Sequence, residues 1–152
     1  MTLGVSDRSV SQVGGAGAIT PGPRHRIALG ENNPDLATLL ASLLDMQADL
    51  HCVGRAGSCA AVLALHRTQP VDAWLLDLAL DDGSSLGLLP TLRRERPDCA
   101  LLVVSGVIDA SLTHHALQHG ADAVLAKDGN LDALLAALRQ QLTRHQDVSP
   151  PA

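Results

Sequence analysis

The stretch VDAWLLDLALDDGSSLGLL, residues 71–89, contains the pattern that decides the fold. It begins with a short, nearly continuous apolar run that stops at the acid Asp77, as a strand covered on both faces does. The pair Asp81 and Asp82, with a glycine directly after it, is typical of a turn. Trp74 is expected to fill the core, where its indole N–H needs a hydrogen-bond partner, and the chain has no Phe or Tyr.

The same alternation of a short apolar run and an amphipathic segment recurs along the chain. The pairs are RIALGE and PDLATLLASLLDMQ, LHCVGRA and SCAAVLALHRTQ, VDAWLLD and LGLLPTLRRER, CALLVVS and ASLTHHALQH, and ADAVLAK and LDALLAALRQQL. Five strand-then-helix units favour a parallel sheet with helices on both faces. We therefore predict an α/β fold, a doubly wound five-stranded parallel sheet in a three-layer α/β/α arrangement.

Several helix boundaries have their own sequence signals. Asn33 can cap the first helix, with Pro34 in the first turn, where a missing N–H costs nothing. Gly120 can supply the left-handed residue that ends the fourth helix. A proline inside a helix costs about 3 kcal/mol. We therefore place Pro90 in the first turn of a third helix that starts near Gly87.

Composition excludes several classes of protein. The net charge of −5 and the 16 acidic against 11 basic residues argue against a nucleic-acid surface. The 3 cysteines have no CxxC spacing, which suits a reducing compartment better than a disulfide or zinc framework. No segment approaches the roughly 20 apolar residues of a membrane span, and the N-terminus lacks the features of a signal peptide. We expect a cytoplasmic protein without direct nucleic-acid or membrane contacts.

The chain is expected to form one domain with a tail at each end. At 152 residues it can bury one hydrophobic core. Residues 1–24 are rich in Gly, Ser, Ala and Pro and are predicted to be a disordered leader. The folded domain is predicted over residues 25–143, followed by a flexible tail over residues 144–152.

Polar residues follow four of the predicted strands at their carboxyl ends. The first strand ends at Glu31 and Asn32, the third at Asp77, the fourth at Ser105 and the fifth at Lys127. In open parallel sheets these ends meet at one edge, where ligands bind. Each residue alone could be an ordinary loop residue, but their convergence indicates a site. Acids beside apolar strand ends need a charge partner, and Lys127 or a divalent cation could serve.

Residues 26 to about 142 resemble a response-regulator receiver domain. The resemblance rests on the quoted stretch around Asp77, on LLVVSG around Ser105 and on GADAVLAKDGNLDALLAALR around Lys127. It implies a flavodoxin-like sheet with strand order 2-1-3-4-5. It also implies that Asp77 receives a phosphoryl group from a histidine kinase or phosphotransfer protein, in a two-component phosphorelay. Ser105 and Lys127 would then contact the phosphoryl oxygens.

The resemblance also implies a Mg²⁺ site, formed by acids at the end of the first strand, by Asp77 and by the main-chain carbonyl of Ala79. Receivers usually have two acids at the first position, and this chain has Glu31 followed by Asn32. Asparagine has one side-chain oxygen and no charge, so we expect a weakened metal site with Asn32 as a poor ligand. The alternative hypothesis is a pseudo-receiver, an interaction module that works without phosphorylation.

The expected output is a protein contact at the face of the fourth and fifth helices. We expect a single-domain regulator that is not an enzyme, with only self-directed phosphotransfer and slow dephosphorylation. Val124 stands where receivers commonly have an aromatic switch residue, so switching would have to use the backbone of the fourth strand and helix. His115 and His119 have a spacing compatible with zinc, but a solvated polar face is the favoured interpretation.

Overall fold

The structure is a computed structural model, and it describes residues 23–148. Almost all of the predicted leader and residues 149–152 of the predicted tail lie outside the described residues. Five strands form the central sheet: β1 His25–Gly30, β2 Leu50–Ala56, β3 Ala73–Asp77, β4 Ala100–Ser105 and β5 Ala123–Ala126. Within the described residues five α-helices alternate with them: α1 Pro34–Asp45, α2 Cys59–Thr68, α3 Leu89–Glu95, α4 Ala110–Gln118 and α5 Leu131–Val148.

The sheet is parallel throughout and has the strand order β2-β1-β3-β4-β5. This confirms the predicted fold class and strand order. Two hydrophobic layers cover the sheet, and the alternating side chains of β3 show how they divide. Trp74 and Leu76 pack with residues of α2, α3 and α4, whereas Ala73 and Leu75 pack with residues of α1 and α5.

The predicted helix boundaries agree with the structure where their signals are local. The Asn33 side chain accepts hydrogen bonds from the first turn of α1, and Pro34 is the first residue of that helix. Gly120 has φ +118° just after α4, in the region that favours glycine. Pro90 lies in the first turn of α3, where it removes no intrahelical hydrogen bond.

Two predicted boundaries differ from the structure. The third α-helix begins at Leu89 rather than near Gly87, because a short 3₁₀ helix, Ser85–Leu88, precedes it. The fifth helix continues to Val148, so residues 144–148 are helical, and the flexible tail predicted to begin at residue 144 is wrong for them. In this last part of the helix, His145 Nε2 lies 3.0 Å from Asp122 Oδ2, just before β5.

A small hairpin follows β3 and fixes the loop beside the carboxyl edge of the sheet. Its two short strands are Ala79–Leu80 and Gly83–Ser84, so Asp81 and Asp82 form the turn, as predicted. Asp82 has a second role, because its carboxylate accepts hydrogen bonds from backbone N–H groups in the first turn of α2. These bonds attach the hairpin to the start of α2, which precedes it in the chain.

Candidate functional site

An ion-paired cluster lies where strands β1, β3 and β5 end. Lys127 Nζ donates to Asp77 Oδ2 at 2.8 Å and to Glu31 Oε1 at 3.0 Å. Backbone hydrogen bonds continue past the strand ends and position two of these residues, from Glu31 N–H to the carbonyl of Ala56 and from Lys127 N–H to the carbonyl of Ser105. The structure thus brings together three of the predicted site residues that lie far apart in the sequence.

The cluster is only partly shielded from solvent. The side chain of Glu31 is 5% exposed, that of Asp77 13% and that of Lys127 32%. Burial alone would lower the pKa of Lys127, but its hydrogen bonds to Asp77 and Glu31 outweigh this effect and raise the pKa above its ordinary value. Lys127 therefore remains charged, and the three side chains together carry one net negative charge when both carboxylates are ionised.

The two carboxylates differ in how their second oxygens are used. Glu31 Oε2 accepts the N–H of Asn33 at 3.0 Å, so this carboxylate is held by the start of α1. Asp77 Oδ1 accepts only a long contact, 3.4 Å, from the N–H of Ala79 among residues 23–148. Long hydrogen bonds are weak. Asp77 Oδ1 is therefore the carboxylate oxygen with the most remaining acceptor capacity in the cluster.

Asn32 lies beside this cluster but is not part of its hydrogen-bond network. It is exposed, and it lines a recess between α1 and β2 together with Thr38, Arg55 and Gly57. The Arg55 guanidinium donates to the Thr38 hydroxyl at 2.7 Å in the same recess. Asn32 thus occupies the predicted position at the strand end, where its neutral amide replaces a second acid.

Ser105 is buried at the end of β4, and its hydroxyl is bonded within its own loop. Ser105 Oγ donates to the carbonyl of Val107 at 2.8 Å, and the N–H of Val107 lies 3.2 Å from the same oxygen. The hydroxyl therefore bonds within the β4–α4 loop and not to Asp77. Among the described residues, the predicted side chains of Ser105 and Asn32 are not bonded to the ion-paired cluster.

The donor set at the strand ends fits a magnesium ion chemically. Glu31 and Asp77 offer carboxylate oxygens, and Ala79, two residues after Asp77, is exposed. Mg²⁺ prefers oxygen ligands and keeps several waters, so a few protein oxygens suffice. Between residues 23 and 148 no group of three or more His, Cys, Asp or Glu residues is arranged to hold a metal. The fit therefore depends on two carboxylates completed by main-chain oxygen and water.

Sequence reasoning missed a buried polar network three residues before Asp77. The indole Nε1 of Trp74 donates to Nδ1 of His66 at 3.0 Å, and His66 Nε2 lies 3.2 Å from the carbonyl of Leu92. Indole is a donor only, so His66 must accept at Nδ1 and donate from Nε2 to Leu92. Trp74 and His66 are fully buried. The available signal was the four-residue spacing of Val62 and His66, which places both on one face of α2.

Three histidines in and directly after α4 form an exposed group. The rings of His115 and His119 stack with their centroids 6.2 Å apart, and His119 Nδ1 bonds to the carbonyl of His115 at 2.6 Å. His114 is exposed beside them. The described residues supply no third ligand, so the zinc hypothesis gains no support.

The same part of the chain contains no helix long and apolar enough to cross a membrane.

Comparisons with known proteins agree with this arrangement. Residues 27–139 match the family model for the response regulator receiver domain. The acid tolerance regulatory protein ActR of Rhizobium meliloti (strain 1021) is 33% identical over 117 residues, which make up 77% of this chain. The same alignment covers 59% of ActR, so the chain spans less than two thirds of that relative's length.

Solved structures show the same fold. A CheY-like receiver domain protein from Methanospirillum hungatei JF-1 superposes with a TM-score of 0.76 at 21% identity, over 83% of this chain and 99% of that one. A response regulator from Burkholderia pseudomallei has a TM-score of 0.70 at 27% identity, over 81% of this chain and 71% of that one. The latter structure contains a phosphorylated aspartic acid, a calcium ion and citrate.

Proposed function

The chain belongs to the response regulator receiver domain family of two-component systems, and we propose that Asp77 receives a phosphoryl group from a histidine kinase or a histidine phosphotransfer protein. The observation that carries the proposal is the placement of Asp77 at the end of the central strand, with Lys127 on one carboxylate oxygen and capacity left on the other. The phosphorylated aspartic acid in the related Burkholderia protein supports the same chemistry.

The nucleophile in this proposal is Asp77 Oδ1, the oxygen that holds only a 3.4 Å contact. It attacks phosphorus, so an O–P bond forms while the P–N bond of the donor's phosphohistidine breaks, and the bonding pair stays on the imidazole nitrogen. Lys127 remains beside the carboxylate, where its charge meets the developing charge on the phosphoryl oxygens. No separate substrate is turned over, so the domain acts as a phosphoacceptor and not as an enzyme.

Magnesium is the cofactor that this site would take. Glu31, Asp77 and the carbonyl of Ala79 would hold it, with Asn32 as a weak fourth contributor. When bound, the ion would supply further positive charge for the phosphoryl oxygens. Because Asn32 is neutral and exposed, we propose a weaker site than one with two acids after β1.

We propose that phosphorylation is transmitted through the β4–α4 loop. A phosphoryl group on Asp77 would compete with Val107 for the hydroxyl of Ser105, which now holds the loop. Val107 is 73% exposed and Ile108 43% exposed, and Leu117 is exposed on α4. Val124 has no aromatic ring to rotate, so the loop backbone is the element that changes. The downstream partner would bind the face of α4 and α5, in the cytoplasm.

A second candidate function is a pseudo-receiver that binds its partner without phosphorylation. The exposed, neutral Asn32 favours it, because this residue reduces the charge available for a metal ion. The half-buried Val124 favours it as well, because a branched aliphatic side chain packed against the core stands where receivers commonly have an aromatic switch residue. The single-domain arrangement stays a prediction for either function.

The decisive experiment is intact-mass measurement after incubation with acetyl phosphate and Mg²⁺. We expect the native protein to gain one phosphoryl group and Asp77→Asn to gain none. Asp81→Asn is the matched control, because Asp81 is an exposed carboxylate four positions later and should leave the adduct unchanged. An adduct that persists in Asp77→Asn would move the site, and a native protein that never takes the label would favour the pseudo-receiver.

A further inference from the structure

A cavity of about 90 Å³ opens beside the ion-paired cluster, between α1, α5 and the carboxyl edge of the sheet. Its walls are mainly leucine side chains, and its polar lining comes from the cluster and from Asn130. The apolar wall consists of Leu29, Leu36, Leu40, Leu75, Val104, Ala126, Leu131 and Leu134. Glu31, Asp77 and Lys127 lie along the same cavity. An apolar chamber is therefore continuous with a charged group that has remaining hydrogen-bonding capacity.

The cavity follows from the composition of the chain and the spacing of two helices. Leu36 and Leu40 of α1 lie opposite Leu131 and Leu134 of α5, and all four are only half buried. The chain has no Phe or Tyr that could span the gap between the two helices. Protein interiors normally close such gaps, because wall atoms without neighbours lose dispersion contacts. A ligand with matching apolar surface would restore those contacts.

The net charge of the cluster determines whether the cavity favours a cationic or an anionic ligand. Two carboxylates share one ammonium group, which leaves a net negative charge beside the apolar wall. The remaining capacity is mainly acceptor capacity, and Asp77 Oδ1 holds most of it. A cationic hydrogen-bond donor would satisfy this capacity and balance the net charge, whereas a carboxylate would be repelled by the net negative charge of the cluster.

We propose that this cavity binds a small branched alkylammonium ion, with the alkyl group among the leucines and the ammonium group donating to Asp77. An engineered apolar cavity of roughly 150 Å³ is known to hold benzene. A cavity of about 90 Å³ therefore suits three or four carbon atoms, which is the size of an isobutyl group. Binding does not require phosphoryl transfer, but an amine bound there would cover the Asp77 carboxylate and compete with the phosphoryl donor for it.

The test uses three probes that carry the same isobutyl group and differ in charge: isobutylamine, isobutanol and 3-methylbutanoate. Binding to the native protein is followed by the methyl NMR signals of leucine and by calorimetry. We expect shifts confined to the cavity leucines and affinity in the order amine, alcohol, acid, with at least about a tenfold difference between amine and acid. Equal binding of the three probes, or shifts spread over the surface, would overturn the proposal.

Matched variants locate the site. Leu40→Phe places a ring in the cavity and should abolish binding of the amine, whereas Leu39→Phe lies on the exposed side of the same helix and should leave it unchanged. Asp77→Asn should reduce amine binding to the level of the alcohol without changing alcohol binding. Circular dichroism checks that each variant is folded. Amine binding that survives Leu40→Phe would contradict the assignment, whatever the outcome of the acetyl phosphate experiment.

Discussion

Two polar clusters lie three residues apart on β3, and they differ in how completely their atoms are paired. On one face, Trp74 donates to His66 and His66 in turn lies in hydrogen-bond contact with Leu92, with the tryptophan and histidine side chains fully buried. On the other face, Lys127 approaches Asp77 at 2.8 Å, but the second oxygen of that carboxylate has only a 3.4 Å contact. We call the first cluster closed, because its polar atoms are paired, and the second open, because one carboxylate oxygen retains acceptor capacity.

The difference shows how one strand can serve stability and chemistry at once. A buried polar group costs free energy unless it is hydrogen-bonded, so a closed network contributes to the fold and has nothing left for a ligand. An open cluster near solvent contributes less to stability and retains the acceptor capacity that a phosphoryl group, a metal ion or an amine requires. We therefore expect mutations in the two clusters to separate stability from function.

The largest effect is expected from Trp74→Ala. Trp74 is fully buried and is the only donor to His66 Nδ1 among the described residues, so its removal leaves both a cavity and an unpaired acceptor. We expect the free energy of unfolding to fall by about 3–5 kcal/mol. Denaturant unfolding followed by circular dichroism measures this, because the variant lacks the only tryptophan.

The control for this prediction is Leu39→Ala. Leu39 is 52% exposed on α1, and the substitution should change the free energy of unfolding by no more than about 0.5 kcal/mol. If Trp74→Ala cost as little as the control, the closed cluster would not be a stabilising element, and the contrast between the two faces of β3 would disappear.

The next effect concerns the open cluster, where Asn32→Asp adds the acid that the strand end lacks. The new carboxylate should strengthen Mg²⁺ binding at least tenfold, about 1.4 kcal/mol. Trp74 reports the titration, because its emission dominates and its Cα is only about 10 Å along the strand from Asp77. Calorimetry replaces emission if the signal does not change. Native protein that binds Mg²⁺ as tightly as the variant would show that Asn32 does not weaken the site.

Much of the open cluster could be predicted from the sequence, because topology brings it together. Five strand-and-helix units determine a parallel sheet, and parallel strands place their carboxyl ends at one edge. Glu31 and Lys127 are 96 residues apart, yet this reasoning predicted that they would meet. Local signals such as the capping side chain of Asn33 were equally readable, because they depend on neighbouring residues.

The closed cluster and the cavity could not be predicted in the same way. The bond between Trp74 and His66 depends on how α2 packs on the sheet, and helix packing leaves only a weak trace in a single sequence. The cavity depends on the distance between α1 and α5, which no residue pattern states. The bond from Ser105 to Val107 is local, but a serine hydroxyl at a strand end can bond to a backbone carbonyl or to a ligand, and the sequence does not distinguish the two.

A smaller effect is expected from pH, through His66. Burial, reinforced by the charge of Arg96, lowers the pKa of His66 below its ordinary value of 6.5, despite the opposing hydrogen bond to Leu92 and the charge of Glu95. The unfolded chain then binds more protons than the folded chain below about pH 6.5, so stability is complete above that pH and falls as the pH decreases toward the lowered value. Between about pH 7 and pH 5.5 we therefore expect this group to lower the free energy of unfolding.

The measurement compares unfolding of the native protein and His66→Gln at both pH values. Glutamine offers a donor and an acceptor but does not titrate in this range. The native protein should lose more stability than the variant over the interval, since all other titrating groups are shared. Equal losses in the two proteins would mean that folding does not lower the pKa of His66, and would contradict the prediction.

The smallest effect on stability is expected from Asp77→Asn, the substitution that should abolish the phosphoryl adduct. Asparagine keeps the size of aspartate, and Lys127 keeps its 3.0 Å bond to Glu31. The lost ion pair involves a lysine that is 32% exposed, and its removal also relieves repulsion between two carboxylates. The free energy of unfolding, followed by Trp74 emission, should therefore change by less than about 1 kcal/mol.

Asp77→Asn would then lose the phosphoryl adduct completely with only a small change in the free energy of unfolding. Trp74→Ala, three residues away, should instead lose stability and keep the adduct. A loss above about 2 kcal/mol in Asp77→Asn would instead mean that Lys127 depends on both carboxylates and that the cluster is a structural ion pair. Asp77 would then be held too firmly to exchange Lys127 for a metal ion or a phosphoryl group. The stability of this single variant therefore decides between an open cluster suited to ligands and a second closed one.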